Sequence, residues 1–575
     1  MFAAAPGRSS SVPLRPIVVI GALAIVLGLR LAHFSSVTLS PLSYQPPGPD
    51  EEYYLRFGQA VAAGHGQDSP EFISLDPGYG YLLGAIFKLA GVNLFAVYLL
   101  QALLDTTTAF GILLIGRQLG RPQAGLYGAL IYGITATAIM YSATLLKEIW
   151  VASFLTWWVA GALAVICSQR KLAWLLFGAY CGIGVALRAN LLLMGLCALL
   201  LPGLGIQQKR NPRTMAVKAL LVVCGMAVTL LPWSVRNAPA GSLSPLPHNG
   251  GISLHQVYNA ENPGAEFWVP TFVDYSHPSE IWRGYAAEAS KRTGRALTPA
   301  EVDHYWRDEA LSYIRQHPVQ VLQHVLHKAL YFLSAAEVPD NRSMVEERLF
   351  SPVLRLLPAP TVWLLSMGLA GLLWIAIGDR RWPIIAAPIF VSLLTVAIFF
   401  ETDRFRFHAA TMLALCSGIW IDQVIHTIRD HRTWQVLGFA ALAGVIAAVS
   451  ISLGTRVAPT AVRWDQIAWG YIKMGKIPEA RALATRIYGE QPNNGAILEA
   501  LGYTAIARQE YSEAAHDYQR AIELRPRSHL AHYNLARLYL LLGDRRKAEE
   551  EAKIAVTLNP QPDYQALLTK IEAAQ

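Results

Sequence analysis

Pro16-Ile-Val-Val-Ile-Gly-Ala-Leu-Ala-Ile-Val-Leu-Gly-Leu-Arg-Leu-Ala32 is followed, across residues 33–48, by Pro49-Asp50-Glu51-Glu52-Tyr53-Tyr54. The first stretch is an almost unbroken apolar run, and a helix needs about 20 such residues to cross a bilayer. The second is a knot of three carboxylates just beyond it. Arg8 and Arg15 precede the run, so its start is expected in the cytoplasm and the acids on the far side. A cleaved signal peptide is the competing reading of the same residues, and it leaves the orientation of later segments unchanged.

Similar apolar stretches recur at about 94–115, 122–140, 144–167, 172–188, 190–206, 214–233, 357–377, 382–400, 408–427 and 434–454, which makes about eleven spans. Threaded alternately, they place Arg117/Arg121, Arg170/Lys171, Lys209/Arg210/Arg213, Arg380/Arg381 and Arg429/Arg432 on the cytoplasmic side. A basic group at every inner turn is the positive-inside pattern. The composition agrees: 53% of the 575 residues are hydrophobic and 15% charged, against about 25% charged in soluble proteins. This excludes a disordered chain, a fibrous chain and a simple cytosolic enzyme. The net charge of +8 falls in short clusters between apolar stretches, so no nucleic-acid partner is expected. The five cysteines, Cys167, Cys181, Cys197, Cys224 and Cys416, lie in or beside apolar segments and suggest neither a disulfide framework nor a thiolate metal site.

The outer face, periplasmic in a bacterium, receives the loops 33–93 and 234–356, a short turn near 401–407 and the C-terminal tail. Within 234–356, Thr298-Pro-Ala-Glu301 is a helix start: threonine caps, proline suits the first position and Glu301 reaches back. A helix near 318–335 carries His324, His327 and Lys328 among leucines and is expected at the membrane interface. With His317 nearby a metal site is conceivable, but polar residues on an interfacial helix are the commoner case. No metal site is therefore assigned, although a divalent ion is not excluded.

Beyond residue 455 the pattern changes. Pro492, Pro526 and Pro560 recur every 34 residues, as do Ala480, Ala514 and Ala548, and again Ile487, Ala521 and Ala555. Small residues in these registers let paired helices approach, and each proline ends a unit. With Trp464, Tyr471, Leu501, Gly502, Tyr518, Leu535 and Tyr539, these positions resemble the tetratricopeptide repeat. The organisation is a membrane domain over 1–455 and an outer repeat domain over 456–575. Three repeats are expected at about 461–494, 495–528 and 529–562, with a capping helix after them. The fold class is mainly α: a polytopic helical membrane protein followed by an α-solenoid. The repeats suggest a concave surface for a protein partner.

Chemistry is expected at the outer face. Asp50 can cap a helix, with Glu51 and Glu52 favoured by its dipole. Tyr54, Phe57 and Val61 follow at helical spacing, and Gly64 ends it. A carboxylate fixed there can also serve as a general base, because a hydroxyl is a poor nucleophile until its proton is taken. Lys147-Glu148, Arg188 with Asn190, Arg236 with Asn237, and Glu401, Asp403, Arg404, Arg406 and His408 gather at the same level. A charge at mid-bilayer costs about 2.5–3.5 kcal/mol, so anchoring at one leaflet explains any one of them. Their convergence points to a lipid-linked donor whose phosphate arginines can hold by paired hydrogen bonds. No P-loop and no Gly-x-Ser-x-Gly elbow is present.

Over nearly all of residues 15–430 the chain resembles the membrane glycosyltransferases of the GT-C fold, near the protein mannosyltransferase and aminoarabinose transferase branch (family 39). The resemblance rests on segments in the family's order. They are Asp50-Glu51, Asp76-Pro-Gly-Tyr-Gly-Tyr through Gly91, Tyr98-Leu-Leu-Gln101, Gly116-Arg-Gln-Leu-Gly120, and Tyr141 to Glu148. Leu231-Pro-Trp-Ser-Val-Arg-Asn237, Asn249-Gly-Gly251, Ala336-Glu-Val-Pro-Asp340 and Asp403-Arg-Phe-Arg406 complete the set. It implies an inner-membrane enzyme that takes a sugar from a polyprenyl-phosphate donor, with membrane lipid around it. Asp50 would be the base with Glu51 beside it, in an inverting single displacement. Arg404 and Arg406, then Arg236 and Lys147, would face the donor phosphate, with Glu148, Arg188 and Asp76 in support. No cofactor is implied, since the lipid-linked sugar is a substrate. The alternatives are an envelope polysaccharide polymerase or ligase, and a non-enzymatic transporter or assembly scaffold.

Overall fold

The computed structural model describes residues 14–43, 48–66, 72, 73, 75–204, 211–264, 268–273, 278–357, 361–455, 457, 460–559 and 562–573. Arg8, Lys209, Arg210 and Pro560 lie outside the described residues. Among the described residues there are helices and turns but no strand. By packing, the chain divides into two compact units: Met1–Phe34 with Gly48–Thr460, and Ser35–Pro47 with Ala461–Gln575.

Among the described residues, seven helices are long and apolar enough to cross a membrane by length and composition: Pro16–Thr38, Leu94–Gln118, Glu148–Val165, Pro212–Ala240, Thr361–Gly378, Asp403–Arg429 and Thr433–Gly454. The other four expected spans are shorter helices. Lys171–Leu187, Ala189–Leu204 and Trp382–Ile398 account for three. The segment at 122–140 divides into Pro122–Gly133 and Ala136–Tyr141, broken at Ile134 and Thr135. Proline starts many helices of the larger unit, among them Pro49–Ala63, Pro77–Ala90, Pro299–Gln316 and Pro318–Phe332. Its missing N–H falls where no intrahelical partner exists, and its fixed φ already suits the helix.

Local expectations fare differently at two helix starts. At Thr298 the reciprocal cap forms, with the Thr298 N–H donating to Glu301 at 2.8 Å and the Glu301 N–H to the Thr298 hydroxyl at 3.4 Å. At the acidic knot, Asp50 is not the cap. Gly48 is, because Pro49 takes the first helical position and draws Asp50, Glu51 and Glu52 into the first turn. Gly64 ends that helix as expected, at φ 88°, in the left-handed region that glycine adopts without steric cost. The helix is then fixed by its apolar face. Tyr53, Tyr54 and Phe57 pack against Phe72, Tyr79 and Leu83. A Cβ at Gly58 would lie 2.8 Å from that of Leu83, so only glycine permits this approach between helices 49–63 and 77–90.

One ion pair is sealed among the spanning helices. Arg30 donates to Asp105 at 2.7 Å, and both side chains are fully buried. Tyr132 also donates to Asp105, and Arg30 to the Gly133 carbonyl. The pair ties the first helix to two others.

In the smaller unit, the helices pair as Trp464–Lys473 with Ile477–Glu490, Gly495–Ala507 with Tyr511–Leu524, and His529–Leu541 with Arg545–Leu558. Pro562–Glu572 follows. Ala480, Ala514, Ala548, Ile487, Ala521 and Ala555 are all fully buried, so the recurring small positions are the seams between helices.

Removing one partner of a buried pair leaves an uncompensated charge, a loss of about 3–5 kcal/mol. Arg30→Met is therefore expected to lower the thermal midpoint of the purified protein strongly. Arg30→Met combined with Asp105→Leu should recover most of the loss. Equal destabilisation by the single and double variants would show that the ion pair is not the contact that matters.

Candidate functional site

Three pieces of chain far apart in sequence meet over the first turn of helix 49–63. One is the loop 333–343, which follows helix Pro318–Phe332. Another is the turn Asp403–Arg406. The third is Lys147-Glu148, at the start of Glu148–Val165. Arg406 joins the first two. It donates to the carbonyls of Ser334 at 2.5 Å and Ala336 at 2.7 Å, and to Asp403. The Asp403 N–H meets the Val338 carbonyl at 3.0 Å. The loop is thereby held so that Asp340, Asn341 and Arg342 face helix 49–63.

Asp50 is gripped on one side only. Its Oδ2 accepts from Arg404 and from the Asn341 amide, the latter at 3.2 Å. Its backbone N–H donates to the Asn341 side chain at 3.0 Å. Among the described residues its Oδ1 has no hydrogen-bond partner, and the side chain is 29% exposed. Arg404 also faces Asp340 at 3.2 Å and Glu148 at 2.8 Å. The Asn341 amide reaches Asp340 as well, at 3.2 Å.

Glu51 is disposed otherwise. Arg342 meets both its oxygens, at 2.6 and 2.9 Å, and Glu347 lies at 3.4 Å on the same guanidinium. Glu51 is 1% exposed. Beside Asp50 in sequence, it points into a closed pair and anchors the turn.

The four cations expected at a donor phosphate are each engaged. Arg404 serves the carboxylates just named, and Arg406 the loop. Arg236 donates to the Phe72 carbonyl at 2.5 Å and to Asn237 at 3.1 Å, over the rings of Phe57 and Tyr81. Lys147 pairs with Asp76 and lies over the ring of Tyr54. Asp76 also accepts from the Ala189 N–H at 2.9 Å. Arg188 bonds Glu148 at 3.2 Å and His408 at 3.3 Å and sits over Phe405. Thus Asp50, Lys147, Glu148, Arg188, Asp76 and Arg404 gather in one polar pit, while Arg236 and Arg406 hold its walls. Among the described residues no group of three or more His, Cys, Asp or Glu side chains is placed to hold a metal ion. Asp340, Asn341 and Arg342 were assigned no role from the sequence. Asp340 had entered only as the last residue of the segment Ala336-Glu-Val-Pro-Asp340, and Asn341 and Arg342 belonged to no motif.

The pit sets its carboxyls apart. Loss of water pushes the Asp50 carboxyl up, but Arg404, Lys147 and Asn341 outweigh this and hold it below the usual carboxylate range. At Asp340 loss of water prevails over Arg404, helped by Asp50 and Glu148, and its carboxyl is raised. Glu337, which accepts from the Met344 N–H at 2.6 Å, is pushed up to about 7, first by burial and then by Asp403. From the ordinary 4.5 to about 7 the folded chain keeps a proton there that the unfolded chain releases. The stability linked to Glu337 is therefore full below that window and is lost as pH rises through it. Glu337→Gln should flatten the fall of the thermal midpoint between these pH values. Parallel profiles for the variant and its parent would contradict the assignment.

Residues 68–235 match the family model described as dolichyl-phosphate-mannose-protein mannosyltransferase. That stretch contains Asp76, Lys147, Glu148 and Arg188; Asp50, Asp340 and Arg404 lie outside it. Residues 466–515 and 505–571 match tetratricopeptide repeat models. No curated protein matches the chain significantly. Among solved structures the chain is similar to the archaeal oligosaccharyltransferase AglB from Archaeoglobus fulgidus in complex with an inhibitory peptide and a dolichol-phosphate. Identity is 14%, over 79% of this chain and 57% of that one, with a TM-score of 0.41. It is also similar to the apo form of the Archaeoglobus fulgidus oligosaccharyltransferase, at 13% identity over 79% and 57% of the two chains, with a TM-score of 0.43. The chain thus spans a little over half the length of these proteins. It carries, over residues 68–235, a domain similar to the dolichyl-phosphate-mannose-protein mannosyltransferases and, at its C-terminal end, tetratricopeptide repeats.

Proposed function

We propose that this protein transfers a sugar from a polyprenyl-phosphate-linked donor to a hydroxyl acceptor at the periplasmic face of the inner membrane, with Asp50 as the base. The observation that carries the reading is the asymmetry of Asp50. Arg404 and Asn341 hold one oxygen, and the other is open. A base needs both conditions: an ionised carboxylate in a fixed place, and a free lone pair within reach of the substrate. The similarity of residues 68–235 to a lipid-phosphate-dependent mannosyltransferase family supports the donor class. The basic inner turns support the outward placement.

In this scheme the acceptor hydroxyl gives its proton to Asp50 Oδ1 as its oxygen attacks the anomeric carbon. The bond from that carbon to the lipid phosphate breaks on the opposite face, so the configuration inverts. Arg404 keeps Asp50 ionised and is the cation nearest the reacting groups. Glu51, through Arg342, fixes the turn that carries Asp50. Arg406 and Arg236 shape the walls, and Lys147 with Asp76, and Arg188 with Glu148, balance charge beneath the site. No cofactor enters these steps. The acceptor is a protein, a lipid or an envelope glycan, and the repeats supply a surface for a protein partner.

Asp50→Asn is expected to lower transfer by about 10²–10⁴-fold at normal membrane levels, with the lipid-linked sugar accumulating in the bilayer. Transfer by the parent should fall as pH falls, and only below the usual carboxylate range, because Asp50 acts ionised and its carboxyl is held low. Full transfer by Asp50→Asn would refute the assignment.

A further inference from the structure

We propose that Asp340 is the acid that partners Asp50, giving a proton to the departing lipid phosphate while Asp50 takes one from the acceptor. The inference rests on the reading of Asp50 as the base. Two carboxyl groups reach the open side of the pit, Asp50 at 29% and Asp340 at 34% exposure. The same two groups hold both of them: Arg404 faces each, and the Asn341 amide donates to each. The carboxyls thus share one guanidinium.

The charges around them favour one proton on the pair. Arg404, Arg188 and Lys147 supply three positive groups in the pit, and Asp50, Glu148 and Asp76 already supply three negative ones. A fourth ionised carboxylate would be in excess. The groups acting on Asp340 are Arg404, Asp50, Glu148 and Arg188, and its carboxyl is raised while that of Asp50 is lowered. Neighbouring carboxyls pushed in opposite directions form a base and an acid.

The step balances. The acceptor oxygen bonds to the anomeric carbon, and the bond from that carbon to the phosphate oxygen breaks. The acceptor proton goes to Asp50 Oδ1, and the Asp340 proton goes to the phosphate oxygen. A phosphodiester with one negative charge therefore leaves as a monoester that still has one. Arg404 loses Asp50 as its ionic partner at the moment it gains Asp340, so the pit keeps its net charge. One proton passed through water from Asp50 to Asp340 resets the pair.

The test uses the full-length protein in lipid nanodiscs. The infrared difference spectrum of parent minus Asp340→Asn at neutral pH should contain a protonated-carboxyl band, separate from that of Glu337, which both proteins share. The band should also be absent from Asp50→Asn, because Arg404 then pairs with Asp340 and draws off its proton. The double variant should lose nothing more. Kinetics use the lipid-linked sugar recovered from Asp50→Asn membranes as donor. Asp340→Asn should lower kcat by about 10²-fold with little change in KM and should lack the alkaline fall that the parent shows, while Asp340→Glu restores part of both. An infrared spectrum unchanged by Asp340→Asn, a band that persists in Asp50→Asn, or a parental kcat in Asp340→Asn would overturn the proposal. Full transfer by Asp50→Asn would instead count against the base itself.

Discussion

One guanidinium organises this site. Arg404 faces Asp50, Asp340 and Glu148, which come from a helix after the first span, a loop after residue 332 and the start of another apolar helix. A buried cation with three acids around it cannot be removed cheaply, and neither can any one acid without leaving the others in excess. The arrangement therefore fixes the relative position of three distant segments. It also sets two neighbouring carboxyls, Asp50 and Asp340, apart from each other. Arg404 outweighs burial and holds the Asp50 carboxyl low, while burial, helped by the neighbouring acids, raises that of Asp340.

The other arginines extend this logic outward. Arg342 closes on Glu51, so the turn bearing Asp50 is held from beneath. Arg406 ties the loop carbonyls of Ser334 and Ala336 to the turn that carries Arg404. Arg236 secures Phe72 against the same helix pair. Each meets two or more oxygens of carbonyls, carboxylates or, for Arg236, the Asn237 amide, with separate donors of one planar fork, a geometry that a lysine lacks. The cations that the sequence suggested for a phosphate are each engaged with carboxylates or carbonyls in this structure. Arg404 makes an ion pair with both Asp50 and Asp340.

Much of the fold was legible because its signals are local. Apolar runs and a period of 34 residues need no tertiary knowledge, and the buried seams Ala480, Ala514 and Ala548 fall where that period puts them. The cap at Thr298 is likewise written in four consecutive residues. At Asp50 the local reading placed the acid two positions too early, at the cap that Gly48 holds, because Pro49 takes the start of the helix. The gathering of charges at one face was legible, but their pairing was not. Arg404 lies 354 positions from Asp50, and Asn341 lies 291 from it. No spacing rule distinguishes the arginine that meets Asp50 from the one that holds a loop. For the same reason Asp340, though it closes a segment of the resemblance, was given no role, and Arg342, which meets Glu51, carried no mark.

The account is tested most directly by the acid limb of the pH–rate profile with and without the central cation. With Arg404→Gln, loss of water around Asp50 is no longer outweighed, so the remaining transfer should fall off at a higher pH than in the parent. An acid limb that stays where it was would mean that Arg404 does not govern the ionisation of the base, and the arrangement described for this site would be wrong.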